Sequence, residues 1–251
     1  MWLLIIVNLA GKLAAVLLFR TDLATALALW FGPDLLVAYH VFVPRAQGLL
    51  RLHRRFATPR REVWLTIDDG PDPVDTPQIL ALLAAHEAHA TFFVIGRKAA
   101  CHPGLIRDMT AAGHEVAHHT HTHPLGAFWC ASPTSVRWEL DAGRHALRAV
   151  GVKPARFRPP AGIRNPWLAS ALRARHLTAV GWSARGLERW QREPGAVADR
   201  VLRRLAPGAI LLLHEGPGVP ALVRVHAVRL VLERLRDQGY RCVVPAAGQV
   251  G

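Results

Sequence analysis

Cysteine is scarce. Cys101, Cys130 and Cys242 are the only three among 251 residues, and they stand far apart. No CxxC pair and no zinc-finger spacing occurs, which excludes a disulfide scaffold and a cysteine-built zinc knuckle. The expectation is inert, buried thiols in a reducing compartment. Acid is also scarce: 18 Asp and Glu stand against 31 Lys and Arg, a formal charge of +13. Such an excess attracts nucleic acid, acidic lipid or anionic glycan. Helix-turn-helix spacing is missing, as is any basic stretch interleaved with aromatics, so nucleic acid is not expected as a partner. A secretory leader is not expected either. Basic residues do not precede the first apolar run, and Phe19-Arg20-Thr21-Asp22 makes a poor cleavage site.

What the chain does have begins with two apolar runs. Met1 to Phe19 is apolar except for Asn8 and Lys12. Leu23 to Val43 is apolar but carries Asp34 and His40 and is interrupted by Gly32-Pro33. Each is about long enough for a bilayer core of roughly 30 Å. Arg45, Arg51, Arg54, Arg55, Arg60 and Arg61 follow, with Glu62 as the one acid. The reading is a membrane-associating helical segment over residues 1–44, a hairpin with Arg20 to Asp22 as its outer turn. A basic linker over 45–61 then puts the remainder on the cytoplasmic side, against the anionic leaflet. A pair of interfacial or core-packed helices competes with it, because Lys12, Asp34 and Pro33 all weaken a span.

From Glu62 onward short β-branched or aromatic runs alternate with stretches of helical spacing. Strands are predicted at Val63–Ile67, Ala90–Ile95, Glu115–His118, Ala155–Arg158, Ala179–Trp182, Ala209–Leu213 and Tyr240–Val244. Helices are predicted at Thr76–His86, Pro103–Ala112, Pro133–Val150, Pro166–Arg175, Pro194–Ala206 and Ala221–Gln238. Proline opens several of them, and Gly113, Gly151 and Gly239 stand where helices should stop. Repeated strand–helix units imply an α/β fold with a parallel sheet, and about seven units suggest a (β/α) barrel, with residues 62–251 as one catalytic domain. Chemistry in such barrels collects at the C-terminal ends of strands. The polar clusters fall there: Asp68-Asp69, the histidines after Val116, Arg158-Pro159-Pro160, and His214-Glu215.

Asp68 and Asp69 are adjacent carboxylates at a strand end. An Asp-Gly-Pro surface turn would give the same letters. Two acids in one pocket repel, so a cation should hold them. The run from His114 to His123 is ambiguous. His114-Glu115-Val116-Ala117-His118 matches the HExxH pattern of zinc proteases, which requires a helix. Gly113 reads as a helix stop, so 114–118 should open a strand and the match is accidental. His119 and His123 lie past the strand end, where ligands belong. With Asp69 they make a sound three-ligand set for zinc, leaving a position for water. Asp68 is then free to act as a base. His114, His118 and His121 are expected to be bystanders.

Four segments together resemble a known family. Thr66-Ile67-Asp68-Asp69-Gly70-Pro71, His119-Thr120-x-x-His123, Phe157-Arg158-Pro159-Pro160-Ala161-Gly162 and Leu211-Leu212-Leu213-His214 are similar, in order, to the motifs of polysaccharide deacetylases (the NodB homology domain, or family 4 carbohydrate esterases). The resemblance implies a distorted (β/α) barrel and a divalent metal, zinc in the first instance, held by Asp69, His119 and His123. It implies Asp68 as base, His214 as acid, Arg158 as the partner of Asp68, and a backbone donor at Ala161, beside Pro160, for the oxyanion. The implied activity is removal of N-acetyl groups from a carbohydrate, either a glycan or a lipid-linked sugar. Sugar O-deacetylation or deformylation is the alternative reaction, and a catalytically impaired carbohydrate-binding membrane protein the alternative class. Two departures stand out. Ala161 replaces an aromatic, and Trp182 to Trp190 lacks an Asp that would tune the acid histidine, leaving Glu188 or Glu215 for that part.

Overall fold

The computed structural model describes residues 2–250. Helices α1 (Trp2–Leu18) and α2 (Leu23–Phe42) form an antiparallel hairpin. Asp22 opens α2, its carboxylate accepting from the backbone N–H of Thr25 at 3.0 Å and from its hydroxyl at 2.6 Å. Midway along, Asp34 accepts from Asn8 at 2.5 Å and pairs with Lys12 at 3.0 Å. The polar residues that weaken a span therefore satisfy one another. Gly11 permits this approach, because a Cβ there would lie 3.0 Å from the Leu29 carbonyl oxygen. Among the described residues, α2 is the one helix long and apolar enough to cross a membrane. At 17 residues α1 is shorter than expected, about 25 Å at 1.5 Å per residue.

The remainder alternates strands and helices: β1 (Glu62–Asp68), α3 (Asp75–Ala85), β2 (Ala90–Val94), α4 (Gly96–Cys101), α5 (Pro103–Ala111), β3 (Glu115–His118), α6 (Pro133–Ala149), β4 (Arg156–Phe157), α7 (Leu168–Arg173), β5 (Thr178–Ala179), β6 (Ala184–Arg185), α8 (Pro194–Leu202), β7 (Ala209–His214), α9 (Arg224–Asp237) and β8 (Arg241–Cys242). Every strand pair is parallel, in the order β5-β4-β3-β2-β1-β7-β6, with β8 beside the start of β1. The predicted strand Ala179–Trp182 is divided. Its beginning pairs with β4 and its continuation with β7, so one stretch joins the two edges and closes a distorted barrel.

Strand alternation sorts the side chains. Val63, Leu65 and Ile67 of β1 face outward, into a core shared with α3, α8 and α9. Trp64, Phe93, Ala117, Val180 and Ile210 fill the barrel interior. The inward set of β1 continues through Thr66 to Asp68, and that of β7 through Leu212 to His214. Burying Trp64, Phe92 and Phe93 completely contributes about 1.5–3 kcal/mol each before entropy is counted.

The stretch expected to be a linker is built into the barrel. Leu52 and Phe56 are buried, His53 bridges Val180, and the Phe56 N–H donates to the Gly208 carbonyl at 3.0 Å. This segment runs from the hairpin to the N-terminal end of the barrel, where Arg55 donates to the Pro207 carbonyl. Its arginines are thus strung along the domain and do not gather beside the hairpin. The hairpin itself seats on the C-terminal end. Arg164, after β4, is fully buried and donates to the carbonyls of His40, Val43 and Pro44 at 3.2, 2.7 and 2.8 Å. Phe42 packs on Trp129 of the loop after β3, with ring centroids 5.8 Å apart. The thiols correct the expectation of inert burial: Cys242 is buried, whereas Cys101 and Cys130 are exposed.

Candidate active site

Asp68, Asp69, His119, His123, Ala161 and His214 line one cleft of about 180 Å³ at the C-terminal ends of the strands. Asp68 points inward from the last position of β1. Its neighbour Asp69 reaches the same cleft because it takes φ 72°, turning the chain where a continuing strand would send it outward. Thr120 (φ 64°), His123 (φ 59°) and Ala161 (φ 50°) are also left-handed. Unfavourable backbone is therefore concentrated around the cleft, at a cost of about 1–3 kcal/mol per residue that the surroundings must hold in place.

Those surroundings are specific. Lys98 of α4 donates to the Asp69 carbonyl at 2.6 Å. Glu139 of α6 accepts from the backbone N–H groups of His121 and Thr122 at 2.8 and 2.9 Å, and from the Thr122 hydroxyl. The histidine loop is thereby pinned by one buried carboxylate. The sequence reading missed Glu139; a carboxylate on the face of α6 that also carries Val136, Leu140 and Gly143 was the available signal.

His119 Nδ1 lies 2.7 Å from the Arg158 carbonyl, which fixes the proton there and leaves Nε2 as a lone pair. That Nε2 is 3.5 Å from Asp69 Oδ1, and His123 Nε2 is 3.2 Å from the same oxygen. Asp69 Oδ1 is buried and accepts no hydrogen bond. An unpaired carboxylate oxygen facing two imidazole nitrogens is what a divalent cation would satisfy, so the donor set fits a metal. Burial works against ionisation of Asp69, but the imidazoles of His119, His123 and His214 beside it prevail and hold its carboxyl below the usual range. Burial, with His119 close by, pushes His123 down to about 4, so its ring is neutral.

Arg158 is fully buried beneath the cleft. It donates to Asp68 Oδ1 at 2.6 Å, to the Thr66 hydroxyl at 2.8 Å, and to the carbonyls of Val180 and Gly181 at 3.3 and 2.8 Å. One guanidinium therefore joins the Asp68 carboxylate to the kink where β5 passes into β6. Gly162 is required nearby, since a Cβ there would lie 2.6 Å from the Trp182 ring. Pro160 is buried under this turn and does not line the cleft, whereas Ala161 does.

On the opposite wall, His214 Nδ1 lies 3.2 Å from Glu188 Oε1. Burial disfavours its imidazolium, yet Glu188 and the more distant Asp68 and Asp69 outweigh burial and raise it to about 9. Glu215, the other candidate partner, points away. It accepts from Thr76 at 2.5 Å, and burial among Asp72 and Asp75 pushes it up to about 8.

The remaining histidines take structural places. Gly113 (φ 77°) ends α5, and Glu115–His118 is strand, so the HExxH geometry does not form. His118 is buried, bonded to the Leu140 carbonyl and to the Thr120 N–H, and burial lowers it to about 4. His114 packs edge-on to His89. His121 meets Trp138 edge-on, with ring centroids 5.3 Å apart.

Relatives of this chain are named as deacetylases, which places it in the class of hydrolases of carbon–nitrogen bonds other than peptide bonds. The sequence matches the polysaccharide deacetylase family over residues 56–180. It is 44% identical over 204 residues to a chitooligosaccharide deacetylase of Sinorhizobium fredii, covering 76% of this chain and 93% of that one. It is 33% identical over 185 residues to a peptidoglycan-N-acetylglucosamine deacetylase of Bacillus cereus, covering 72% and 84%. Among solved structures it resembles a family 4 carbohydrate esterase pseudoenzyme from Bacillus anthracis, with a TM-score of 0.67, 26% identity, and coverage of 75% and 65%. The chain belongs to the polysaccharide deacetylase family. The pseudoenzyme shows that this fold alone does not carry activity, which places the weight on the side chains in the cleft.

Proposed function

We propose that this protein removes the N-acetyl group from an amino sugar, with Asp69, His119 and His123 holding a divalent ion, zinc by preference. The convergence of Asp69, His119 and His123 between the Asp68–Arg158 and His214–Glu188 pairs carries this reading. When bound, the ion supplies Lewis acidity toward the acyl carbonyl and toward a water. Arg158 holds the Asp68 carboxylate in place at the cleft floor, and Asp68 takes the proton of the attacking water. The N–H of Ala161 donates to the developing oxyanion. His214, held protonated by Glu188, gives its proton to the departing nitrogen, since an amine anion does not leave. That protonated acid favours an amide over an ester substrate. The names of the relatives point the same way, toward N-acetylated amino sugars.

The hairpin over 1–44 is read as a membrane anchor, and residues 62–251 as the catalytic domain. Arg45 directly follows α2, and Arg51, Arg54 and Arg55 come next in sequence before the segment runs along the domain, against one, Arg20, in the turn; by that sequence count alone the domain is read as cytoplasmic. Equimolar acetate and free amine from an N-acetylated chitooligosaccharide, detected by NMR, tests the reaction. No acetate from it, with acetate released from an O-acetylated sugar instead, would mean an ester substrate. A reporter fused after Arg61 tests the side, and a periplasmic signal contradicts it.

A further inference from the structure

The hairpin and the cleft share one face. Arg164 and Trp129 seat the hairpin from loops after β4 and β3, at the end of the barrel where the cleft opens. Between hairpin and domain lies an apolar seam of about 450 Å³, walled by Leu9, Val41, Phe42, Trp129 and Trp167. Trp190, on the turn after β6, lines the cleft and is 74% exposed, while Trp129 is 45% exposed. Tryptophans at this level, beside an apolar hairpin, suit the boundary between headgroups and acyl chains. A hairpin that enters a bilayer would hold the cleft mouth beside it.

The same turn brings two cations to the cleft. Arg185 and Arg189 both line it. Glu188, the carboxylate between them in sequence, is taken by His214. Neither guanidinium forms an ion pair among the described residues. Arg185 lies over the Trp182 ring at 5.6 Å and Arg189 is exposed, and their forked donors match phosphate oxygens. Leu125, Leu187 and Val219 make part of the wall around them apolar.

The geometry points to a substrate whose N-acetylated sugar is carried on a lipid phosphate: Arg185 and Arg189 receive the phosphate, and the lipid stays in the bilayer that the hairpin enters. This rests on the deacetylase reading above and narrows its substrate.

The test uses the full chain in vesicles of phosphatidylcholine and phosphatidylglycerol. Four N-acetylglucosamine substrates are compared by acetate release: a polyprenyl phosphate conjugate, a neutral alkyl glycoside, soluble N-acetylglucosamine 1-phosphate, and a chitooligosaccharide. The lipid phosphate should give the highest kcat/KM. In Arg189→Gln, and separately in Arg185→Gln, the preference for lipid phosphate over neutral glycoside should fall about ten-fold. Arg189 is exposed, so its variant keeps the fold intact. Equal turnover of the chitooligosaccharide, or an unchanged preference in both variants, overturns the inference while leaving the deacetylase reading standing. Acetate from none of the four overturns both.

Discussion

Glu188 Oε1 accepts two hydrogen bonds from the same residue, 3.0 Å from the backbone N–H of His214 and 3.2 Å from its Nδ1. The carboxylate thus fixes both where the imidazole stands and which nitrogen keeps its proton, leaving Nε2 toward the cleft. A His raised to about 9 is charged at neutral pH and loses its proton only as the pH climbs through that value. Activity that needs the acid form persists up to there and falls above it. Glu188→Gln keeps the shape but removes the charge, so the His214 pKa falls and the alkaline limb of kcat moves to lower pH. A pH–rate profile of both proteins checks the direction; an unmoved limb would show that Glu188 does not tune His214.

Metal binding separates the two histidine frames. His119→Ala removes a ligand whose tautomer is already fixed, and should abolish tight binding. His114→Ala leaves the ligand set untouched and should retain about one ion per chain. Elemental analysis of both purified variants decides between them, and the opposite pattern would restore the protease frame.

Asp68→Asn should retain the metal and lose about 10²–10⁴ in kcat, the usual scale for a positioned base. It also leaves Arg158 buried without its anion. Removing one partner of a buried pair costs about 3–5 kcal/mol, so the variant should unfold at lower urea. Measured together, turnover of the folded fraction and the urea midpoint distinguish lost chemistry from lost fold.

Glu215 gives a stability prediction independent of catalysis. Its folded pKa is raised from 4.5 to about 8 by burial. The protonated form is thus favoured in the native state. Its contribution is complete below the unfolded pKa and is lost as pH rises through about 8. Glu215→Gln should flatten this decline, gaining stability at alkaline pH relative to the parent. Gly70→Ala should lower stability at acidic and alkaline pH alike, because its Cβ would fall 1.8 Å from Glu215 Oε1. Urea melts at acidic and alkaline pH read both effects.

Much of this was legible in the sequence because strand periodicity and strand-end chemistry are local. Asp68, His119, Arg158 and His214 each follow an apolar run, and the barrel brings those ends together. Other features depend on long-range geometry. Whether Glu188 or Glu215 serves His214 is decided by the left-handed Leu187 (φ 60°), which sequence does not encode strongly. The break between β5 and β6 depends on carbonyls at Val180 and Gly181 turning to Arg158. Residues 52–56 read as linker by charge, yet Leu52 and Phe56 are the apolar side chains that tie the segment to the barrel. Glu139 is a single acid whose meaning appears only when the loop it pins is folded beside it.

The central claim, metal-assisted N-deacetylation, is tested most directly by following acetate and free amine together from an N-acetylated amino sugar, with the protein first stripped by chelator and then reloaded with zinc. Equimolar release that vanishes with the chelator and returns with zinc, but not in Asp68→Asn, is the predicted result. Acetate release that survives complete removal of the metal, or that occurs only from an O-acetylated sugar and not from the N-acetylated one, would contradict it.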